Sequence, residues 1–196
     1  MSAPAIAVLC SGRGTNLQAI LDAVRKKRLR ARVALVLSDN PGAFALSRAK
    51  SARVPAVVVD PRRFKTREQY DRALARVIDA SGARLVVLAG FMRLLSPFFV
   101  RRYGGRILNI HPALLPSFPG CRAVRDALRH GVRVTGVTVH FVDERMDHGP
   151  ILLQEAVPVR PGDTEPVLHE RIHRVEHRLY PKAIQAVLDG KAALKG

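Results

Sequence analysis

A chain of 196 residues, 47% of them hydrophobic, is long enough to bury a full core and short enough to form one domain, and no stretch of it reads as a linker. The formal charge of +17, from 33 Lys and Arg against 16 Asp and Glu, invites a polyanionic partner, but few aromatics accompany the basic residues to stack on bases. Two cysteines, Cys10 and Cys121, exclude a disulfide framework, and nowhere do about 18 apolar residues run together, which excludes a membrane-spanning helix. The N-terminus lacks the basic leader of a signal peptide, so the expectation is an unexported protein of the reducing cytoplasm, away from membranes. The basic residues fall in short groups such as Arg25 to Arg28 and Arg101-Arg102, which suit solvated helix faces and a field that concentrates small polyanionic substrates.

Short apolar runs alternate with amphipathic segments, the pattern of an α/β protein. Ala5 to Cys10, Val33 to Leu37, Ala56 to Val59, Leu85 to Leu88 and Ile107 to Ile110 read as buried parallel strands bounded by turn residues. Leu17, Ile20, Leu21 and Val24 keep helical spacing after the first strand, and Thr66-Arg-Glu-Gln69 reads as a capping box opening a helix toward Ser81. After Ile110 the order changes. A helix around Ala123 to His130 precedes two strand-like runs, Val134 to Val142 and Ile151 to Val159, joined by an Asp143 to Pro150 loop. A last long helix begins near Thr164, buries Leu168, Ile172, Val175 and Leu179, and is expected to kink at Pro181. The expected architecture is a single domain over residues 1–196: an open, mostly parallel twisted sheet with helices on both faces and an antiparallel addition in the C-terminal part.

Three places carry chemistry. Asn109 and His111 are two apart at the end of an apolar run, so on a strand both side chains share a face, and the Pro-rich segment after them is a loop of the kind that holds ligands in open α/β sheets. An amide and an imidazole, joined by a carboxylate such as Asp147, are the parts needed to polarise a carbonyl and move a proton beside it. Local pattern alone equally suits Asp147 as a turn residue before Gly149-Pro150. The loop Cys10-Ser-Gly-Arg-Gly-Thr-Asn16, between the first strand and the first helix, resembles an anion cradle in which Gly12, Arg13, Gly14, Thr15 and Asn16 face a phosphate at a helix N-terminus. It fits neither a dinucleotide fingerprint, since Leu17 stands where a third glycine is required, nor a Walker A loop, so a monophosphate suits it best. An ordinary Gly-rich turn with Thr15 or Asn16 as helix cap is the alternative.

Ser11-Gly-Arg-Gly-Thr-Asn16-Leu-Gln-Ala-Ile20, Val86-Val-Leu-Ala-Gly-Phe-Met-Arg-Leu-Leu-Ser96, Asn109-Ile-His-Pro-Ala-Leu-Leu-Pro116 and Gly136-Val-Thr-Val-His-Phe-Val142 together resemble the phosphoribosylglycinamide formyltransferases, folate-dependent enzymes of purine synthesis with a Rossmann-like fold. The Asn-x-His, Leu-Leu-Pro and later Asp elements are shared by 10-formyltetrahydrofolate enzymes generally, and the Ser-Gly-x-Gly-Thr-Asn loop points to this member. The resemblance implies formyl transfer from 10-formyltetrahydrofolate, a co-substrate, to the amine of glycinamide ribonucleotide, with no metal. It places the nucleotide phosphate on Gly14, Thr15 and Asn16, its ribose hydroxyls on Glu176, and Met92 at the meeting point of the substrates. It places the pterin against Phe91, Arg93, Leu94 and Leu95, beside Asn109, with the loop from Asp143 to Asp147 closing over it. Asn109 and His111 would stabilise the oxyanion, and Asp147 would favour the imidazolium and relay a proton. The partners implied are small molecules, with no nucleic acid and no membrane, and a homodimer is admitted without being required.

Some residues depart from that pattern or compete with it. Cys121-Arg122 stand where many relatives carry a histidine or small polar group, and His173 where a glutamine is familiar. His169, His173 and His177 recur every four residues, a metal-like spacing that an exposed helical face also explains. On pattern alone Glu176 is a surface glutamate and His140 a structural residue of its strand. A 10-formyltetrahydrofolate hydrolase would need a further N-terminal domain, and a methionyl-tRNA formyltransferase a C-terminal one. A basic RNA-binding protein would leave the Asn109 and His111 arrangement unexplained.

Overall fold

The computed structural model describes residues 3–192. Its strands are β1 (Ala5–Leu9), β2 (Arg32–Ser38), β3 (Ala56–Val58), β4 (Leu85–Leu88), β5 (Ile107–His111), β6 (Val134–Phe141) and β7 (Ile151–Pro158). The helices are α1 (Thr15–Arg25), α2 (Phe44–Ser51), α3 (Arg67–Ala80), α4 (Pro97–Arg102), α5 (Ala123–His130) and α6 (Glu165–Leu188), with a 3-10 turn at Pro61–Arg63. The seven strands form one sheet in the order β3-β2-β1-β4-β5-β6-β7. β1 to β5 run parallel, and β6 and β7 are added antiparallel.

Alternate strand residues serve two cores. Ile6, Val8, Val87, Leu108 and Ile110 face a core with Leu17 and Ile20 of α1, Ala45 and Ala49 of α2, Val124 of α5 and Ile172 and Ile184 of α6. Ala7, Leu9, Val86, Leu88 and Ile107 face the other, with Leu74 and Ile78 of α3 and Phe99 of α4. Helices therefore cover both faces, which explains why the parallel strands read as unbroken apolar runs.

Between β1 and β4 the strand order reverses, because the chain builds outward to β3 and then returns to the other side of β1. At such a point the loops leaving two adjacent carboxyl ends diverge and leave a crevice, where open α/β sheets bind ligands. Here those loops are 10–14 after β1 and 89–96 after β4, with the end of β5 beside them.

The elements depart from the sequence reading in three ways, at α2, at α4 and at the Thr66 cap. α2 and α4 were not anticipated: α2 buries only Ala45 and Ala49, too small to mark a hydrophobic period, and α4 has only six residues. The capping box at Thr66 is half formed. Thr66 Oγ1 accepts from the Gln69 N–H, while Gln69 Oε1 reaches past Thr66 to accept from the Lys65 N–H. Pro181 lies inside α6, and the chain stays helical past it to Leu188. Among the described residues no helix is long and apolar enough to cross a membrane.

Candidate active site

The carboxyl end of β5 carries Asn109 and His111, and the loop between β6 and β7 brings Asp147 to both. Asp147 Oδ2 lies 3.4 Å from His111 Nδ1 and accepts the Gly120 N–H at 2.7 Å, while Asp147 Oδ1 lies 3.4 Å from Asn109 Nδ2. The turn reading of Asp147 is also met, since its φ is 51°, in the left-handed region. The loop closes tightly at Gly149, where a Cβ would stand 2.0 Å from the Phe141 carbonyl oxygen, so no side chain fits.

His111 is 4% exposed. Its Nε2 lies 2.8 Å from the Phe118 carbonyl oxygen, and its Nδ1 faces Asp147. A carbonyl and a carboxylate only accept hydrogen bonds, so each ring nitrogen of His111 faces an acceptor. His140, read from the sequence as structural, sits against this group instead, because antiparallel pairing sets it opposite Asn109. Its Nδ1 faces the Phe141 carbonyl oxygen at 2.8 Å, leaving Nε2 to accept from Asn109 Nδ2 at 3.2 Å. Burial holds the His140 ring below its ordinary pKa, which agrees with a neutral ring accepting at Nε2.

The Gly-rich loop delivers the second group. Gly14 caps α1 in the left-handed conformation at φ 67°, and a Cβ there would lie 2.8 Å from the Ala45 Cβ. No side chain caps α1: helix begins at Thr15, and Asn16 turns its amide away to donate to Glu176 at 2.9 Å. The first amides of α1 are thus left for a ligand, as an anion site requires. Arg48 of α2 braces the loop by donating to the Arg13 carbonyl oxygen at 2.9 Å and to Gln18 at 3.0 Å.

Glu176 corrects the surface reading given by pattern. It is 4% exposed, and burial raises its carboxyl pKa to about 7 against the opposing Asn16 hydrogen bond. His173 and His177 are half-buried and only His169 is exposed, so the histidine series is not an exposed face throughout. The rings of His169 and His173 lie 4.1 Å apart and those of His173 and His177 5.8 Å. Burial and neighbouring positive groups, Arg13 among them, hold His173 down at about 4. Among the described residues no group of three or more His, Cys, Asp or Glu is arranged to hold a metal ion.

The segment after β4 supplies the third group. Phe91 packs its ring into the core with α3 and α4, Leu95 is half-buried, and Met92 and Leu94 are 67% and 55% exposed. Arg93 lies over the Tyr70 ring at 5.4 Å and 3.9 Å from Asp39. A cleft of about 530 Å³ opens beside this segment, lined among others by Phe64, Lys65, Arg67 and Tyr70. Ser11, which the sequence did not single out, joins the segment to the Gly-rich loop: its N–H donates to the Gly90 carbonyl oxygen at 3.0 Å and its Oγ accepts the Met92 N–H at 2.8 Å. Asp143 is held within its own loop by His148 at 2.7 Å and by the Arg145 N–H at 2.9 Å.

The formyl transferase family profile matches residues 5–184, the span that holds this sheet, the amide, imidazole and carboxylate at the end of β5 and the loops on either side of the β1/β4 crevice. The chain belongs to the formyl transferase family. It is 46% identical over 186 residues to the phosphoribosylglycinamide formyltransferase of Escherichia coli strain K12, a match covering 95% of this chain and 88% of that protein. It superimposes with a TM-score of 0.97, at 50% identity, on the crystal structure of glycinamide ribonucleotide transformylase 1 from Symbiobacterium toebii, covering 100% of this chain and 92% of that one. It is also 48% identical over 185 residues to the trifunctional purine biosynthetic protein adenosine-3 of Gallus gallus, where the match covers 94% of this chain but only 18% of that protein.

Proposed function

We propose that this protein transfers the formyl group of 10-formyltetrahydrofolate to the amine of glycinamide ribonucleotide, giving formylglycinamide ribonucleotide and tetrahydrofolate, a step of de novo purine (IMP) synthesis. The observation that carries this reading is the convergence of three groups on neighbouring strand ends, with Ser11 bonded to the segment on the far side of the crevice. The substrates' chemistry fits those groups. The nucleotide phosphate suits the uncapped amides from Gly12 to Asn16 with Arg13 beside them, and Glu176, paired to Asn16, stands ready for ribose hydroxyls. The pterin suits the segment from Met92 to Leu95, in which Met92, Arg93 and Leu94 are exposed and Leu95 is half-buried. The anionic tail of a folate suits the neighbouring cleft, where Lys65, Arg67 and Arg93 supply positive charge.

In the mechanism the amine nitrogen attacks the formyl carbon directly. A new C–N bond forms, and the formyl oxygen takes up the negative charge of a tetrahedral intermediate. Asn109 trades its long contact with Asp147 for that oxygen, and the His111 ring lies alongside it. Asp147 faces the His111 ring and relays the amine's proton through water. The bond from the formyl carbon to N10 of the folate then breaks, and N10 leaves with a proton, so charge and atoms balance. The buried thiol of Cys10 and the unpaired, exposed Cys121 suit the reducing cytoplasm.

The test is tetrahydrofolate production from 10-formyltetrahydrofolate with and without glycinamide ribonucleotide. Turnover that depends on the nucleotide is the expected result. Turnover without it would establish a hydrolase in place of the transferase, and none in either case would remove the proposal.

A further inference from the structure

The segment from Gly90 to Ser96 carries the exposed Met92 and Leu94, which have little packing to hold them in place. Phe91 and Leu95 pack toward the core and Arg93 lies over Tyr70, and polar bonds fix the two ends of the segment. At the head, Ser11 bonds both the Gly90 carbonyl oxygen and the Met92 N–H. At the tail, the Ser96 N–H donates to Asp71 Oδ2 at 2.5 Å, across 25 positions of sequence. Asp71 is 1% exposed, on the buried side of α3 beside Tyr70, which lines the cleft next to the segment.

An aspartate in that position is costly. Burial pushes its carboxyl pKa up, the Ser96 bonds offset only part of that, and its second oxygen has no partner. An apolar side chain would fill the same place on α3 without the penalty. What the carboxylate adds is a fixed point for the backbone immediately after Leu95, where α4 begins with Ser96 as its cap.

We propose that Asp71 is a positioning residue for the folate: its bond to Ser96 sets the backbone of Arg93, Leu94 and Leu95 in the arrangement that receives the pterin. This rests on the function proposed above. Loss of the bond would loosen the tail of the segment, leaving Leu95 and Arg93 to hold it by packing alone and raising the cost of ordering its backbone on binding. The nucleotide loop, held separately by Arg48 and Ala45, would keep its geometry.

Three variants test the proposal: Asp71→Ala, Asp71→Asn, which keeps a neutral acceptor, and Ser96→Pro, which suits the φ of −75° there but replaces the donor by a ring carbon set against Asp71, so that the bond is both lost and displaced. For each, the KM values of both substrates are measured together with tetrahydrofolate affinity by fluorescence titration and the thermal midpoint. Asp71→Ala and Ser96→Pro are expected to weaken folate binding by about tenfold, the scale of one hydrogen bond to a charged group, and Asp71→Asn by less. The nucleotide KM is expected to stay within about twofold in all three. Should Asp71→Ala fail to fold, Asp71→Asn and Ser96→Pro still decide the matter. Unchanged folate affinity in a folded Asp71→Ala or Ser96→Pro protein, or an equal rise in both KM values, would overturn the proposal. If the unmodified protein shows no transfer at all, the functional reading fails, whereas normal transfer with insensitive variants removes only the role of Asp71.

Discussion

At Glu176 a carboxylate that its neighbours Arg174 and Arg178 would suggest is solvated is buried where α6 packs on α1. A carboxyl group held at about 7, against an ordinary 4.5, binds its proton more tightly in the folded state than in the unfolded one. Between those two values the folded protein carries more protons, so this group's contribution to stability is greatest below pH about 4.5 and is lost as pH rises toward about 7. Glu176→Gln is therefore expected to remove a pH-dependent loss of roughly 3 kcal/mol across that window. Thermal midpoints of variant and parent, measured from pH 4.5 to 7.5, should diverge with rising pH in the variant's favour; parallel curves would contradict the buried, protonated carboxyl. His173 titrates in the opposite sense, because its folded value of about 4 lies below its ordinary 6.5, and this is why the comparison must be made between variant and parent. The titration was not legible from sequence. The spacing that places Leu168, Ile172 and Leu179 inward also passes through position 176, four after Ile172, but the partner that Glu176 meets there, Asn16, arrives from 160 positions away. His140 escaped for the same reason, since alternation along β6 does not reveal that its partner in β5 is Asn109.

The elements carrying strong local signals were read closely. The strand at Leu85–Leu88 and the helix at Ala123–His130 match the structure residue for residue, because a compact apolar run and a helix closed by Gly131 in the left-handed conformation are both local events. Elements fixed by tertiary packing were missed, α2 and α4 among them. The same long-range dependence shows in Tyr180 of α6, which is fully buried and shares its one hydroxyl hydrogen between the Leu88 carbonyl oxygen at 2.8 Å and the Leu108 carbonyl oxygen at 3.0 Å. One hydroxyl thus ties the ends of β4 and β5 to the last helix, directly below the segment at Phe91 and the strand end at Asn109. Tyr180→Phe is expected to cost about 1–2 kcal/mol, from two carbonyls left with a weaker set of partners. Urea unfolding would register this as a lower midpoint with unchanged slope, and an unaltered midpoint would show that the tie carries no stability.

Over the whole molecule, a formal charge of +17 surrounds a site read as taking two anionic substrates. Such a field raises encounter rates and is screened by salt. Between low and high ionic strength kcat/KM is expected to fall by roughly tenfold while kcat holds. A salt-independent kcat/KM would mean that the basic surface plays no part in capture. The whole fold also explains why the centre was only half visible in the chain: Asn109 and His111 announce themselves two apart on one strand, whereas Asp147 reaches them only because β6 and β7 return antiparallel and deliver their loop to the end of β5. The claim that this cluster carries the chemistry is tested most directly by steady-state kinetics of His111→Ala at saturating levels of both substrates. The prediction is a fall in kcat of roughly 100- to 1,000-fold with both KM values little changed, as expected when an oxyanion contact is lost from the transition state alone. Turnover close to that of the unmodified protein would contradict it.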